Sequence, residues 1–257
     1  LIHFVFFSPE DLSIIKNGPA ERRHFLDSEL CQLDKVYLYL LSNYNKVVLQ
    51  RNKLLKELYL HPDYREVLDV LDMQLVQYGS ALIQRRQTFA EELGEIVHRI
   101  HSQLSGGQEE MELKYEPNVT VDAFAQMLFS NRERDMRLKT TATGPHRDDI
   151  SFVVNGVDIR KFGSQGQQRT AALSLKLSEI ELVKRLIGDT PVLLLDDVLS
   201  ELDSGRQNYL LNSIENIQTL ITCTGLDEFV NHRFSINRIY KVTDGSVTVE
   251  NKQEADR

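Results

Sequence analysis

The sequence predicts an α/β protein in which a layered sheet is joined to a long helical section. Three observations predict it. Val192-Leu193-Leu194-Leu195 is an unbroken aliphatic run, the pattern of a strand buried on both faces. Apolar residues recur at helical spacing through the region 28–104. In the C-terminal part, strand-like and helical segments alternate, which is the order of a layered α/β sheet.

The elements follow in order. Leu1 to Phe7 reads as the end of a buried strand, and Ser8-Pro9-Glu10-Asp11 suits a helix start. The chain opens with neither Met nor a leader, so a fragment of a longer protein is expected. Leu33, Tyr37, Leu40, Tyr44 and Val47 step along one helical face, continued by Leu54, Leu55 and Leu58. His61-Pro62-Asp63 breaks this pattern, because Pro ends one helix and Asp caps the next. Val67 to Leu104 then reads as a second helix, roughly 60 Å long if straight, with Gly79 and Gly94 as its weak points. The pair predicts an antiparallel helical hairpin. Ser105-Gly106-Gly107 is a turn, and Met111 to Tyr115 alternates as a strand. A helix over about 120–139 presents Phe124, Met127 and Leu128 on one side. Asn155-Gly156 and Asp244-Gly245 are hairpin turns. The run Arg169 to Leu186 is helical, led in by a glycine-containing loop from Gly163 to Gly166, and Thr219 to Thr222 is a short strand.

Composition narrows the class. With 41% apolar and 26% charged residues, the 257-residue chain is ordinary for a globular protein with one or two cores. No apolar run is long enough to span a bilayer. A net charge of −8 argues against a protein wholly dedicated to coating nucleic acid, while leaving room for a local basic face. Cys31 and Cys223 form no motif and fit a reducing cytoplasm.

The sharpest chemical signal is Leu193-Leu194-Leu195-Asp196-Asp197. A rigid strand that ends in a carboxylate can orient a hydrated Mg²⁺, and a second acid one residue on can align or deprotonate an attacking water. Alone, it reads equally as a buried strand followed by a polar turn. It is accompanied by Ser164-Gln165-Gly166-Gln167-Gln168 at the start of a helix and by Ser200-Glu201-Leu202-Asp203. A serine hydroxyl and glycine N–H groups at a helix N-terminus form an anion site. Leu104-Ser105-Gly106-Gly107-Gln108 is a decoy: a strand-like segment follows it, so it lacks a helix dipole and reads as a turn at the end of the hairpin.

In order and spacing these segments resemble the ATP-binding-cassette superfamily. Ser164 to Gln168 looks like its signature motif, Asp196-Asp197 like Walker B plus the catalytic acid, and Ser200 to Asp203 like the D-loop. The resemblance implies ATP and Mg²⁺ as cofactors. Asp196 would be the magnesium ligand and Asp197 the catalytic acid, with Ser164, Gln165, Gly166, Gln167 and Gln168 binding nucleotide held by a second copy. The chain departs from the pattern in places. No G-x-x-x-x-G-K-[ST] occurs, so nothing in it cradles the β-phosphate. Ile221 to Gly225 lacks the histidine of transporter cassettes, which leaves Thr222 or Thr224 as γ-phosphate sensor. The second acid is Asp where transporters have Glu, and both departures imply slow hydrolysis without transport.

Three segments resemble the RecF family of bacterial recombination mediators over essentially the whole chain: Pro9 to Asp27, Thr143-Gly144-Pro145-His146-Arg147-Asp148-Asp149, and Leu194 to Asp203 with Arg206. The resemblance implies a cassette-type ATPase head, similar to Rad50 and SMC heads, with its N-terminal part missing and a largely helical second lobe. Residues 1–27 would end the ATPase lobe and form a Q-loop-like region. Residues 28–140 would be the helical lobe, and residues 141–257 the C-terminal part of the ATPase lobe. In the Q-loop-like turn, Ser8 or Pro9 stands where Gln is expected, so no ligand is assigned there. The implied function is a cytoplasmic, nucleoid-associated ATP-dependent DNA clamp of repair, recombination, replication restart and the SOS response. It would dimerise on ATP, bind duplex and gapped DNA, and work with RecR to load RecA on DNA coated by single-strand-binding protein. The alternative is a non-catalytic module that binds DNA or RecR, because this chain has no P-loop.

Candidate DNA contacts are Arg51, Lys53, Lys56, Arg85, Arg86, Arg132, Arg134, Arg137 and Lys139. The competing reading for each is a solvated helix face with acidic partners. Arg22 and Arg23 suit a role holding the Q-loop-like region to the body. His146 and Arg147 suit either an approach to nucleotide or DNA or a structural loop.

Overall fold

The computed structural model describes residues 3–58, 65–224 and 237–250. Leu1, Ile2, Gly225 and the break expected at His61-Pro62-Asp63 lie outside the described residues. In chain order the elements are β1 (Phe4–Phe7), α1 (Leu12–Lys16), α2 (Pro19–Leu33), α3 (Lys35–Glu57), α4 (Arg65–Leu104), β2 (Met111–Glu116), α5 (Val121–Ser130), α6 (Arg132–Leu138), β3 (Asp149–Val154), β4 (Val157–Asp158), α7 (Ile159–Phe162), α8 (Gln165–Ile187), β5 (Val192–Asp196), α9 (Ser204–Ser213), β6 (Thr219–Thr222), β7 (Ile239–Thr243) and β8 (Ser246–Glu250).

A parallel sheet in the order β1-β5-β6 carries the acidic motif. Its register sets Phe7 beside Leu195 and Asp196 beside Thr222. Side chains alternate across the pleat. Val5, Phe7, Leu193 and Leu195 are buried in one core with Leu173, Leu175 and Leu177 of α8, which packs on β1. The other face is open: Phe4, Phe6 and Leu220 are exposed and Leu194 is half-buried. This corrects the expectation of strands buried on both faces. A second sheet, β2-β3-β4, is antiparallel and packs through β2 on α4. Asn155-Gly156 turns it with φ of 48° and 80°, and Asp244-Gly245 turns β7 into β8 in the same left-handed way.

The helices follow apolar periodicity, with two corrections. The face running from Leu33 to Val47 belongs to two helices, because Asp34 is extended and its carboxylate accepts the Val36 N–H at 2.8 Å as an N-cap. The helix expected over 120–139 divides at Asn131, whose amide is drawn to Thr143 Oγ1 at 2.8 Å, and Met127 is exposed. α4 runs unbroken for 40 residues through Gly79 and Gly94. Gly79 is there for packing, since a Cβ would lie 2.5 Å from Phe124 Cε1. Asp34 pairs with Arg85, Tyr37 with Arg86, and Arg51 with Asp72. The start of α3 at Tyr37 thus meets Arg86 of α4, and Arg51, further along α3, meets the earlier Asp72, so α3 and α4 are antiparallel, as expected of the hairpin.

The Thr143–Asp149 segment joins these parts. Arg86 of α4 donates to Pro145 O at 2.6 Å, to Asp148 at 2.9 Å and to Asp27 at 2.7 Å. Arg22 forks onto Asp149 at 2.6 and 3.1 Å, and Arg23 donates to Asp148 O. The two arginines therefore tie α2 to β3. His146 is structural: Tyr44 donates to its Nδ1 at 2.7 Å, and its Nε2 donates to Thr141 O at 2.9 Å.

Candidate nucleotide site

The three parallel strands end at one edge, and the acidic motif lies there. In open α/β sheets that edge is where ligands bind. Leu193 and Leu195 anchor β5 in the core, so exposed Asp196 projects from a fixed backbone. Thr222 ends the adjacent strand, and its hydroxyl donates to Asp196 Oδ1 at 2.5 Å. The Asp197 N–H points to both Thr222 O and Thr222 Oγ1, each at 3.2 Å. Asp197 adopts φ 50°, a left-handed conformation that Asp tolerates better than most residues. Ser200 donates to Asp197 O at 2.9 Å, closing the turn. Asp203 caps α9 by accepting the Arg206 N–H at 3.0 Å, and that bond holds its carboxyl below the usual carboxylate range. Thr224 is exposed beyond the strand end. Thus Asp196, Asp197, Ser200 and Thr222 form one connected group.

The edge fits a hydrated Mg²⁺ held through one carboxylate. One Asp196 oxygen is held by Thr222, and the other accepts no hydrogen bond among the described residues. No cluster of three potential metal ligands occurs among the described residues. A single fixed carboxylate suits Mg²⁺, which keeps waters and phosphate oxygens in its shell.

Ser164 caps α8. Its hydroxyl accepts the Gln167 N–H at 3.2 Å, and Gln167 Oε1 accepts the Ser164 N–H at 3.0 Å, a closed capping box. Ser164, Gln165 and Gly166 are exposed, and a Cβ at Gly166 would meet nothing nearer than 3.9 Å. The motif therefore occupies the first helical turn, where the sequence had suggested a loop to Gly166. Gln168 corrects its assignment as a nucleotide ligand: its side chain is buried and donates to Ile159 O at 2.9 Å, bracing α7. Gly163 is required, since a Cβ would lie 2.5 Å from Ile159 O. Sequence reasoning missed Glu109 and His101. Glu109 Oε1 accepts from Gln167 Nε2 at 2.9 Å, and Glu109 Oε2 meets His101 Nε2 at 3.1 Å. The decoy is a turn, as read: Gly106 and Gly107 have φ of 65° and 77° at the end of α4.

The basic candidates separate by burial. Arg51 is 0% exposed and pairs with Asp72 and Asp135, both at 2.6 Å; Arg86 is 2% exposed within the hub already described. Neither reaches a surface, which corrects their assignment as DNA contacts. Arg132 is held by Asp69 and Asp72 and lies over the Phe129 ring, and Arg85 pairs with Asp34. Lys53, Lys56, Arg134, Arg137 and Lys139 are exposed, and α6 packs on α3, so they sit on neighbouring elements.

Paired acids closing a parallel strand, with a serine-capped helix earlier in the chain, place the fold in the ATP-binding-cassette class of ATPase heads. The chain belongs to the RecF family of DNA replication and repair proteins. It is 60% identical over 253 residues to the DNA replication and repair protein RecF of Lachnospira eligens, covering 98% of this chain and 70% of that one. It is 61% identical over 249 residues to the RecF of Agathobacter rectalis, covering 97% and 69%. The solved structure of the recombination mediator protein RecF-ATP in the RecFOR pathway matches with a TM-score of 0.88 at 36% identity, over 97% of this chain and 68% of that one. No family model matches the chain. The family assigns the protein a role in DNA replication, repair and recombination mediation.

Proposed function

We propose that the full-length gene product is an ATP-dependent DNA-binding clamp of recombinational repair and replication restart. The observation that carries this reading is the joining of Asp196, Asp197 and Thr222 at the edge of the parallel sheet, in a chain whose Ser164–Gly166 turn is exposed. Asp196 would hold Mg²⁺, which when bound offsets the phosphate charge of ATP. Thr222 fixes Asp196 and keeps the carboxylate from rotating, a sensor role coupled to the ligand. Asp197 orients a water and accepts its proton. Ser164, Gln165, Gly166 and the N–H groups of the first turn of α8 bind phosphate oxygens of nucleotide held by a second copy. Ser200 and Asp203 shape the turn between the copies.

In this reading residues 1–27 link the ATPase lobe to the helical lobe of residues 28–140, and residues 141–257 complete the ATPase lobe. Lys53, Lys56, Arg134, Arg137 and Lys139 offer a basic stripe to duplex and gapped DNA. RecR is the partner, and through it RecA loading on DNA coated with single-strand-binding protein, in the bacterial cytoplasm at the nucleoid. The RecF-ATP relative supports ATP as the ligand. The alternative, a DNA- or RecR-binding module that hydrolyses nothing, rests on one observation: the 257 residues contain no G-x-x-x-x-G-K-[ST]. Sedimentation of the full-length protein with and without ATP, in the presence of gapped duplex, separates the two. Nucleotide-dependent dimers that retain DNA support the clamp, and nucleotide-independent DNA binding by monomers supports the module.

A further inference from the structure

Gln167 has a second partner beyond the Ser164 of its capping box. Its Oε1 is committed to the Ser164 N–H, and its Nε2 donates to Glu109 Oε1 at 2.9 Å, so both ends of the amide are fixed. The other Glu109 oxygen meets Nε2 of His101, which has no exposed surface. His101 Nδ1 lies 2.9 Å from Ser174 Oγ on α8, nearly three turns below the cap. The Ser174 hydroxyl gives its proton to Thr170 O at 2.7 Å, so Nδ1–H is the donor to Ser174. α4 thus holds α8 at Ser174 through His101, and the turn that follows α4 holds it at Gln167 through Glu109.

The turn that imitates the signature motif makes this grip. Gly106 and Gly107 are both left-handed, the Gly107 N–H bonds Ser102 O at 2.7 Å, and Ser105 Oγ accepts the Glu109 N–H at 3.2 Å. These bonds reverse the chain at the end of α4 and deliver Glu109 to the start of α8.

We propose that Glu109, braced by His101, is a positioning residue for the signature segment: by clamping Gln167 it holds Ser164 and the first-turn N–H groups ready for a nucleotide presented by a second copy. The proposal rests on the clamp reading above, and its test is built so that each can fail alone. In the nucleotide-free full-length protein, amide hydrogen exchange over residues 164–168 reads the clamp directly. Glu109→Ala is expected to speed that exchange about tenfold, the worth of one hydrogen bond, with exchange in mid-α4 unchanged. Glu109→Gln keeps the acceptor for Gln167 and restores protection. Gln167→Leu removes the same bond from the other side together with the capping-box bond to the Ser164 N–H, and gives an acceleration at least as large should the alanine variant fold poorly. With ATP, Glu109→Ala weakens self-association several-fold while ATP affinity of the monomer is unchanged, a split that general destabilisation does not produce. Wild-type exchange rates over 164–168 in both Glu109→Ala and Gln167→Leu overturn the proposal whatever ATP does. Wild-type protein that ignores ATP overturns the clamp reading, and the exchange result still decides the role of Glu109.

Discussion

Replacing Arg86 with alanine tests how α4 is fastened to the Thr143–Asp149 segment. The guanidinium is 2% exposed and donates to Tyr37 at 2.9 Å, Pro145 O at 2.6 Å, Asp148 at 2.9 Å and Asp27 at 2.7 Å. Asp148 is 0% exposed. After truncation its carboxylate keeps only the Tyr115 hydroxyl and the Asn118 N–H as partners among the described residues, while Arg23 reaches only the Asp148 backbone O. Removing one member of a buried pair costs about 3–5 kcal/mol. At about 2–4 °C per kcal/mol for a domain of this size, Tm falls by roughly 10 °C. The loss also depends on pH. Burial already raises the Asp148 pKa, and Arg86 is the largest influence opposing it. Without Arg86 the folded-state value rises further above the unfolded one, so the variant gains stability from a protonated Asp148 at low pH and loses it as pH rises. The deficit is therefore smaller at pH 5 than at pH 8. Urea unfolding of both proteins at the two pH values measures it. A deficit below about 1 kcal/mol, or one that grows toward acid, would refute the assignment of Arg86 as the counter-charge of Asp148.

Other outcomes follow from the same packing. Burial pushes the His146 pKa down to about 4, and its two hydrogen bonds suit the neutral ring. A depressed folded-state value makes its contribution complete above the unfolded value of 6.5 and lost as pH falls toward 4, by up to roughly 3 kcal/mol. His146→Gln is expected to flatten that acid limb in unfolding measurements between pH 7 and 4.5, and an unchanged slope counts against it. Gly144 has φ 133°, and a Cβ would lie 2.3 Å from the Tyr44 hydroxyl. Gly144→Ala is expected to cost at least about 2 kcal/mol in urea unfolding, and a neutral result would mean the segment shifts freely.

The parts legible in the sequence were those fixed by neighbours in the chain. Asn155-Gly156 and Asp244-Gly245 announce their turns because few residues tolerate positive φ, and Leu193 to Asp197 announces strand and acid together. The Asp34 break was hidden, because apolar spacing continues through it while a single side chain recaps the helix. Arg51 and Arg86 read as surface cations because their counter-charges are distant in sequence: Asp72 and Asp135 for the first, Asp27 and Asp148 for the second. Glu109 and Gln167, 58 residues apart, were invisible as a pair for the same reason. The open face of β1-β5-β6 escaped prediction because an aliphatic run reports apolar character and not which face is covered.

The most direct test of the clamp is steady-state ATP hydrolysis by the full-length protein and its Asp196→Asn variant, each with and without gapped duplex DNA. Asn keeps the size of the side chain and the Thr222 hydrogen bond but removes the charge at the sheet edge. The account predicts slow, DNA-stimulated hydrolysis that the substitution abolishes, with thermal stability unchanged. Equal hydrolysis by both proteins, or none by the wild type together with no ATP-dependent dimer, would contradict it.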